Sequence, residues 1–146
     1  MRNILILGLN PSSRNTDPAT PFKGTKTGKM LKKWLKIVMP EDKEYLIMKR
    51  NLVEDVISSD SKSVKRKDLD RNMKKFRLYL RRRKPDMIIA LGNKVHNYLI
   101  THLMGEFPLL FLPHPSPRNR KLNNKEDIEL HLLITKATIN YIWEKY

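Results

Sequence analysis

Apolar residues in this chain form four short blocks and four longer periodic stretches, and the two kinds alternate. Ile4–Leu7 is an unbroken aliphatic run between Asn3 and Gly8, the pattern of a strand buried on both faces. Tyr45–Met48, Met87–Leu91 and Phe107–Leu112 are three further strand candidates. Between the first two blocks, Met30, Leu31, Trp34, Leu35 and Val38 recur at helical spacing from Gly28 to the stop at Pro40, with Lys32, Lys33 and Lys36 on the other face. Leu69, Met73, Phe76 and Leu80 predict a second helix over roughly Asp68 to Arg83, and Val95, Tyr98, Leu99 and Leu103 mark a third. A last helix from about Lys125 to near the C-terminus is expected to turn Leu130, Leu133, Ile134, Ala137 and Tyr141 inward.

The order is therefore β-α-β-α-β-α-β-α. Near-continuous apolar strands alternating with amphipathic helices imply an α/β fold, a three-layer α/β/α sandwich with a four-stranded parallel sheet. No repeat, low-complexity tract or linker interrupts residues 1–146, which read as one domain. Residues 14–27 form a long loop rich in Asn, Thr, Pro and Gly, a length more often functional than idle. Ser58–Lys67 is polar and aperiodic and reads as a surface loop.

Right-handed crossovers bring the C-terminal ends of all parallel strands to one edge, where ligands of open α/β sheets bind. The residues just beyond the four strands are Gly8–Ser13, Asn51, Gly92-Asn93 and Pro113–Asn119. Each group contains an asparagine, and the last adds His114. Pro113, Pro115 and Pro117 stiffen the loop that carries this imidazole.

Charge narrows the partner. The chain holds 30 Lys+Arg against 15 Asp+Glu, a net charge of +15, with a pI near 10.1, which points to a polyanion. No apolar run approaches the ~20 residues that span a bilayer, and Ile4–Leu9 is too short for a signal-peptide core. No membrane partner is expected. The expectation is an intracellular protein, cytoplasmic in a prokaryote or virus-infected cell and nuclear in a eukaryote. The chain has no cysteine, which removes disulfides, thiolate catalysis and Cys-ligated metals. It contains no P-loop, Gly-x-Ser-x-Gly elbow or Gly-x-Gly-x-x-Gly turn. No histidine–carboxylate spacing suits a metal, so neither metal nor cofactor is expected. His96, His102 and His131 fall inside helices, where structural roles dominate.

The residues at the sheet edge suit one kind of chemistry. Asn10 is a poor base but can hold a water by its side-chain oxygen, which suffices for an electrophile as reactive as an oxocarbenium-like sugar. His114 can donate a hydrogen bond to a departing anion. Asn51 offers a donor and an acceptor side by side, as a pyrimidine's O4 and N3–H require. Phe22 can stack on the base. Together these parts fit cleavage of a base–sugar bond.

Those residues lie in segments that resemble the uracil-DNA glycosylase superfamily. Gly8-Leu9-Asn10-Pro11-Ser12 resembles the Gly-x-Asn-Pro-Gly first motif of its single-strand-selective monofunctional and mismatch-specific branches, with Ser12 in place of the second glycine. His114-Pro115-Ser116-Pro117-Arg118-Asn119 is similar to the second motif of the single-strand-selective branch. Pro21-Phe22-Lys23-Gly24 with Gly28, then Asn51-Leu52-Val53, then Lys84-Pro85 through Ala90-Leu91-Gly92, resemble the thermophile-type branch, without its four cluster cysteines. The resemblance covers about residues 4 to 119.

It implies a monofunctional DNA glycosylase that flips uracil or a 5-substituted uracil out of DNA and hydrolyses its N-glycosidic bond. Asn10 would position the water, His114 would stabilise the leaving base, Asn51 would read the Watson–Crick edge and Phe22 would stack on the ring. Gly8, Leu9 and Pro11 would complete the base pocket. Ser12, Ser116, Arg118, Asn119, Arg120, Lys121 and Leu122 would contact DNA, with the segment from Arg118 in the minor groove. The expected partner is double- or single-stranded DNA, and the expected state is a monomer. Two alternatives stand beside this reading: a superfamily member that binds DNA or a modified base without cleaving, and a small nucleotide or nucleoside enzyme on the same fold.

Overall fold

The computed structural model describes residues 1–9, 25–54, 64–103, 105–116 and 119–145. Its elements are β1 (Arg2–Gly8), α1 (Lys26–Val38), β2 (Tyr45–Asn51), α2 (Arg66–Arg83), β3 (Met87–Leu91), α3 (Asn93–Leu103), β4 (Leu109–Leu112), a short 3-10 turn (Arg120–Asn123) and α4 (Lys125–Lys145). All pairings are parallel, and the strand order is β2-β1-β3-β4. The chain steps outward from β1 to β2 and then returns to the other side of β1 for β3. That reversal makes the β1–β3 boundary a topological switch point, the place where open α/β sheets bind ligands at the C-terminal edge.

Alternation along the strands divides the core into two layers. Leu5, Leu7, Ile88 and Ala90 pack with Leu69, Phe76 and Leu80 of α2 and Val95 and Leu99 of α3. Ile4, Ile6, Met87 and Ile89 pack on the opposite face with Leu31, Trp34 and Val38 of α1 and Leu132, Ile139 and Ile142 of α4. The result is the three-layer α/β/α sandwich that the sequence pattern implies. The predicted stripes of α2 and α3 are all buried.

Element ends shift for local reasons. Thr25 caps α1 by accepting from the Gly28 N–H at 3.0 Å, which starts the helix at Lys26 and not at Gly28. Asp68, expected to open α2, instead sits in its first turn and accepts from the Lys65 N–H at 2.9 Å. The helix thereby begins at Arg66, inside the stretch expected to be loop; residues 58–63 lie outside the described residues, as do 14–24 of the earlier loop. β2 runs on through Lys49-Arg50-Asn51 because its partner β1 continues to Gly8, opposite Asn51. β4 starts two residues late, at Leu109, after Pro108.

At α4 the expected inner face is reversed. Leu130, Leu133, Ile134 and Tyr141 are 53–64% exposed, and Ala137 is exposed too. The buried stripe is Leu132, Thr135, Ile139 and Ile142. Both stripes have helical spacing and lie on opposite sides of the helix. Thr135 gives the buried stripe a polar member, but its hydroxyl donates to the Phe111 carbonyl at 2.8 Å, so its burial leaves no donor unsatisfied.

Candidate active site

The C-terminal edge of the sheet gathers Gly8, Asn51, Gly92 and, just past β4, His114. The β1–β2 ladder continues past the strands, with Leu52 N–H donating to the Gly8 carbonyl and Val53 N–H to the Leu9 carbonyl, both at 2.8 Å. This lacing fixes the start of the first motif beside Asn51. The Leu9 side chain is buried in the α2–α3 core layer, so only its backbone faces the edge chemistry.

Asn51 is 5% exposed, and its Oδ1 is buried without a hydrogen-bond partner among the described residues. An unsatisfied buried acceptor costs roughly 1–3 kcal/mol. An acceptor of this kind at a sheet edge where ligands bind is a preformed place for a donor.

His114 is held on three sides. Gly92 turns at φ +89°, and a Cβ built there would stand 3.4 Å from the His114 Cβ. The Gly92 N–H donates to the Leu112 carbonyl at 2.8 Å, tying this turn to the strand that leads into His114. Asn119 Nδ2 donates to the His114 carbonyl at 2.9 Å. Finally, the Ser116 N–H donates to His114 Nδ1 at 3.2 Å. A backbone N–H can only donate, so Nδ1 carries no proton and Nε2 carries it in the neutral ring. Burial acts in the same direction, lowering the His114 pKa from 6.5 because desolvation disfavours the imidazolium. In its neutral form the side chain is a donor through Nε2.

The other named positions divide. Asn119 is occupied inside its own loop: besides the His114 carbonyl, it accepts from the Lys121 N–H at 3.2 Å. Leu122, expected at DNA, packs against the core layer of α1 and α4. Arg120 and Lys121 are exposed, and Ser116 is half-buried. Asn10, Pro11, Ser12, Phe22 and Arg118 lie outside the described residues. His96 and His131 sit edge-on to Phe111, and His102 stacks on Tyr98, in keeping with structural roles. Among the described residues no cluster of His, Cys, Asp and Glu could hold a metal.

Sequence reasoning missed two contributors. Gly92 falls at the sheet edge in the sequence pattern but without a role of its own, although a glycine directly after a strand end is the available signal for a turn at positive φ. Nothing in the sequence pattern sets Arg50 apart. Its guanidinium is largely buried, pairs with Glu54 at 2.7 Å and lies 4.5 Å from the Tyr79 ring centroid.

Three of the four helix starts at this edge are electropositive beyond the net charge, while α4 opens with Glu126 and Asp127. Helices that follow parallel strands begin here, with their positive dipole ends. α1 and α3 have no acid in the first turn; they carry Lys26, Lys29 and Lys94 instead. α2 opens with Lys65 and Arg66, and its one first-turn acid, Asp68, is buried. Cations in a first turn oppose the dipole, so helix stability does not explain them. They do suit an anion bound at the edge.

Two comparisons bear on this arrangement. Residues 2–134 match the family described as the uracil DNA glycosylase superfamily. Comparison with curated proteins finds no match.

Proposed function

The chain belongs to the uracil DNA glycosylase superfamily, and on that premise we propose that it is a monofunctional glycosylase releasing uracil or a 5-substituted uracil from DNA. The observation that carries the proposal is that one sheet edge holds both Asn51, whose Oδ1 has no partner among the described residues, and His114, whose Nδ1 accepts from the Ser116 N–H and so leaves Nε2 as the donor of the neutral ring. Uracil offers an N3–H donor for the first and, as it leaves, a developing anion on O2 for the second. Asn51 Nδ2 donates to O4 in the same reading.

In this mechanism DNA approaches the cationic rim, the target nucleotide flips into the pocket, and Phe22 stacks on its ring. The N-glycosidic bond breaks ahead of water attack, the sugar gains oxocarbenium character, and the electron pair of the bond leaves on the base. His114 stabilises that charge without having to become an imidazolium. Asn10 holds the water that attacks C1′, and the water's proton passes to solvent. Arg118, Arg120 and Lys121 hold the duplex, with Asn119 and Leu122 anchoring their segment to the fold.

The test is single-turnover cleavage of oligonucleotides carrying uracil, hydroxymethyluracil, or G·U and G·T pairs, with alkali to reveal abasic sites. His114→Ala should slow release by roughly 10²–10³, the usual loss for one anion-stabilising donor. Asn51→Asp should erode discrimination between uracil and cytosine. Release of no base by the wild type would leave the non-cleaving reading, and unchanged rates in both Asn10→Ala and His114→Ala would remove these residues from the reaction.

A further inference from the structure

The outward face of α2 carries charge that neither the fold nor the catalytic edge accounts for. Lys67, Lys74 and Arg81 are exposed, fall seven residues apart on one line, and make no ion pair among the described residues. At 1.5 Å per residue this line is about 21 Å long. Arg71 and Arg82 flank it.

A solvated helix face is the ordinary explanation for such residues, and it fits poorly. Lys67–Arg71, Arg71–Lys74, Lys74–Arg77 and Arg77–Arg81 are like-charge neighbours at i+3 or i+4, which weaken a helix. Arg66 and Lys67 also stand at the wrong end of the dipole. The contrast with α4 lies at the N-terminus, where α4 carries Glu126 and Asp127 in the first turn; at the C-terminus the dipole favours Arg81, Arg82 and Arg83 in the last turn of α2, so the unfavourable charges are those further up the line. Leu78, 44% exposed, sits on the α2 ridge one helical turn from Lys74 and Arg82, an apolar contact amid charge.

The helix also has a direction. Its N-terminus lies at the rim of the catalytic edge, and its last residue, Arg83, stops shortly before Met87 opens β3 at the far edge. The cation line therefore starts beside the site and leads away from it across the α2 side of the sandwich.

We propose that this face is a second nucleic-acid-binding surface, a track for phosphate backbone that receives DNA flanking the reacting nucleotide. The proposal rests on reading the protein as DNA-acting, but not on base release. Its ligand chemistry is a polyanion with closely spaced phosphates, since isolated phosphates would not need cations spread over about 21 Å.

The test is salt-dependent binding by the triple variant Lys67→Gln, Lys74→Gln, Arg81→Gln. On a duplex of about three helical turns, each lost contact should reduce the slope of log affinity against log salt by roughly 0.9, so by roughly 2.7 in all. A single strand of about six nucleotides, which spans the pocket and not the track, should bind with unchanged slope. Saturated single-turnover release should match wild type. A control removing the same charge at Lys36, Lys43 and Lys136 should leave the duplex slope near wild type, and Lys67→Arg with Lys74→Arg should retain it. An undiminished duplex slope, or equal loss on both lengths or in the control, overturns the track. If the slope falls as stated while no substrate releases a base, the track stands and the glycosylase reading fails.

Discussion

Gly92→Ala separates the geometry of the site from the stability of the fold. Gly92 stands at φ +89°, a conformation that costs a residue with a Cβ about 1–2 kcal/mol. For a domain of this size 1 kcal/mol shifts Tm by roughly 2–4 °C, so the variant should melt roughly 2–8 °C lower. The new methyl would also touch the His114 Cβ at 3.4 Å, an ordinary contact, through which relaxation of the strained φ would reach the imidazole as a shift of at most a few tenths of an ångström. A misplacement of 1 Å can cost 10²-fold in rate; a fraction of it should cost roughly 3- to 10-fold in single-turnover release. Gly105 supplies the matched control. It has φ +80°, and a Cβ there meets nothing within 4 Å. Gly105→Ala should therefore lose comparable stability and no rate. Thermal melts and single-turnover assays on the two variants decide the matter. Equal rate loss in both, or full rate in Gly92→Ala despite its lower Tm, would falsify the claim that this glycine positions His114.

Acid sensitivity should trace partly to His114: burial lowers its native pKa from 6.5, so as pH falls below that value the unfolded chain takes up a proton that the native protein resists. Stability should drop through that window by about 1.4 kcal/mol for each tenfold weakening of proton binding; denaturant unfolding at several pH values should show this component missing in His114→Gln, and an identical pH dependence would remove the cause. The two stripes of α4 should differ sharply in unfolding experiments, with Leu132→Ala costing about 2–5 kcal/mol and Leu133→Ala within about 0.5 kcal/mol of wild type. Equal costs would contradict the face assignment.

Strand blocks and the stripes of α2 and α3 were legible because each offers one apolar face and no rival. Opposite Leu69, Met73, Phe76 and Leu80 stands a single apolar residue, Leu78, among cations and polar groups. α4 was ambiguous because it is apolar on two opposite sides, and the deciding contact, Thr135 to the Phe111 carbonyl, is a tertiary hydrogen bond that no period reveals. The positions of Asn51 and His114 at one edge followed from topology alone. The tautomer of His114 did not, because it depends on the Ser116 N–H turning back two residues. The Gly92 contact escaped for the same reason: it joins the ends of two strands that are neighbours only in the folded sheet.

Arg50 and Asn51 show how strand alternation divides labour at the site. They are consecutive in β2, each has a buried polar atom without a partner among the described residues, and the pleat sends them to opposite faces. Arg50 faces α2, where it lies over Tyr79 and pairs with Glu54, and Glu54 reaches on to Lys75 at 2.5 Å. This chain of charges ties the segment carrying Asn51 to α2. The Lys75 hydrogen bond comes first among the causes that hold the Glu54 pKa below its usual 4.5, and the Arg50 charge adds to it against the opposing effect of burial. The two halves of the pair should respond unequally to mutation. Arg50→Met removes a buried cation and substitutes apolar volume against Phe76 and Tyr79, an exchange that is often close to neutral. Glu54→Ala strands the guanidinium without its counter-ion; discounted for the partial exposure of Glu54, the cost should be about 1–2 kcal/mol. Urea unfolding of both variants measures the difference. Equal destabilisation, or a larger loss in Arg50→Met, would mean that Arg50 holds this end of β2 by packing and cation–π contact, with its charge pairing incidental.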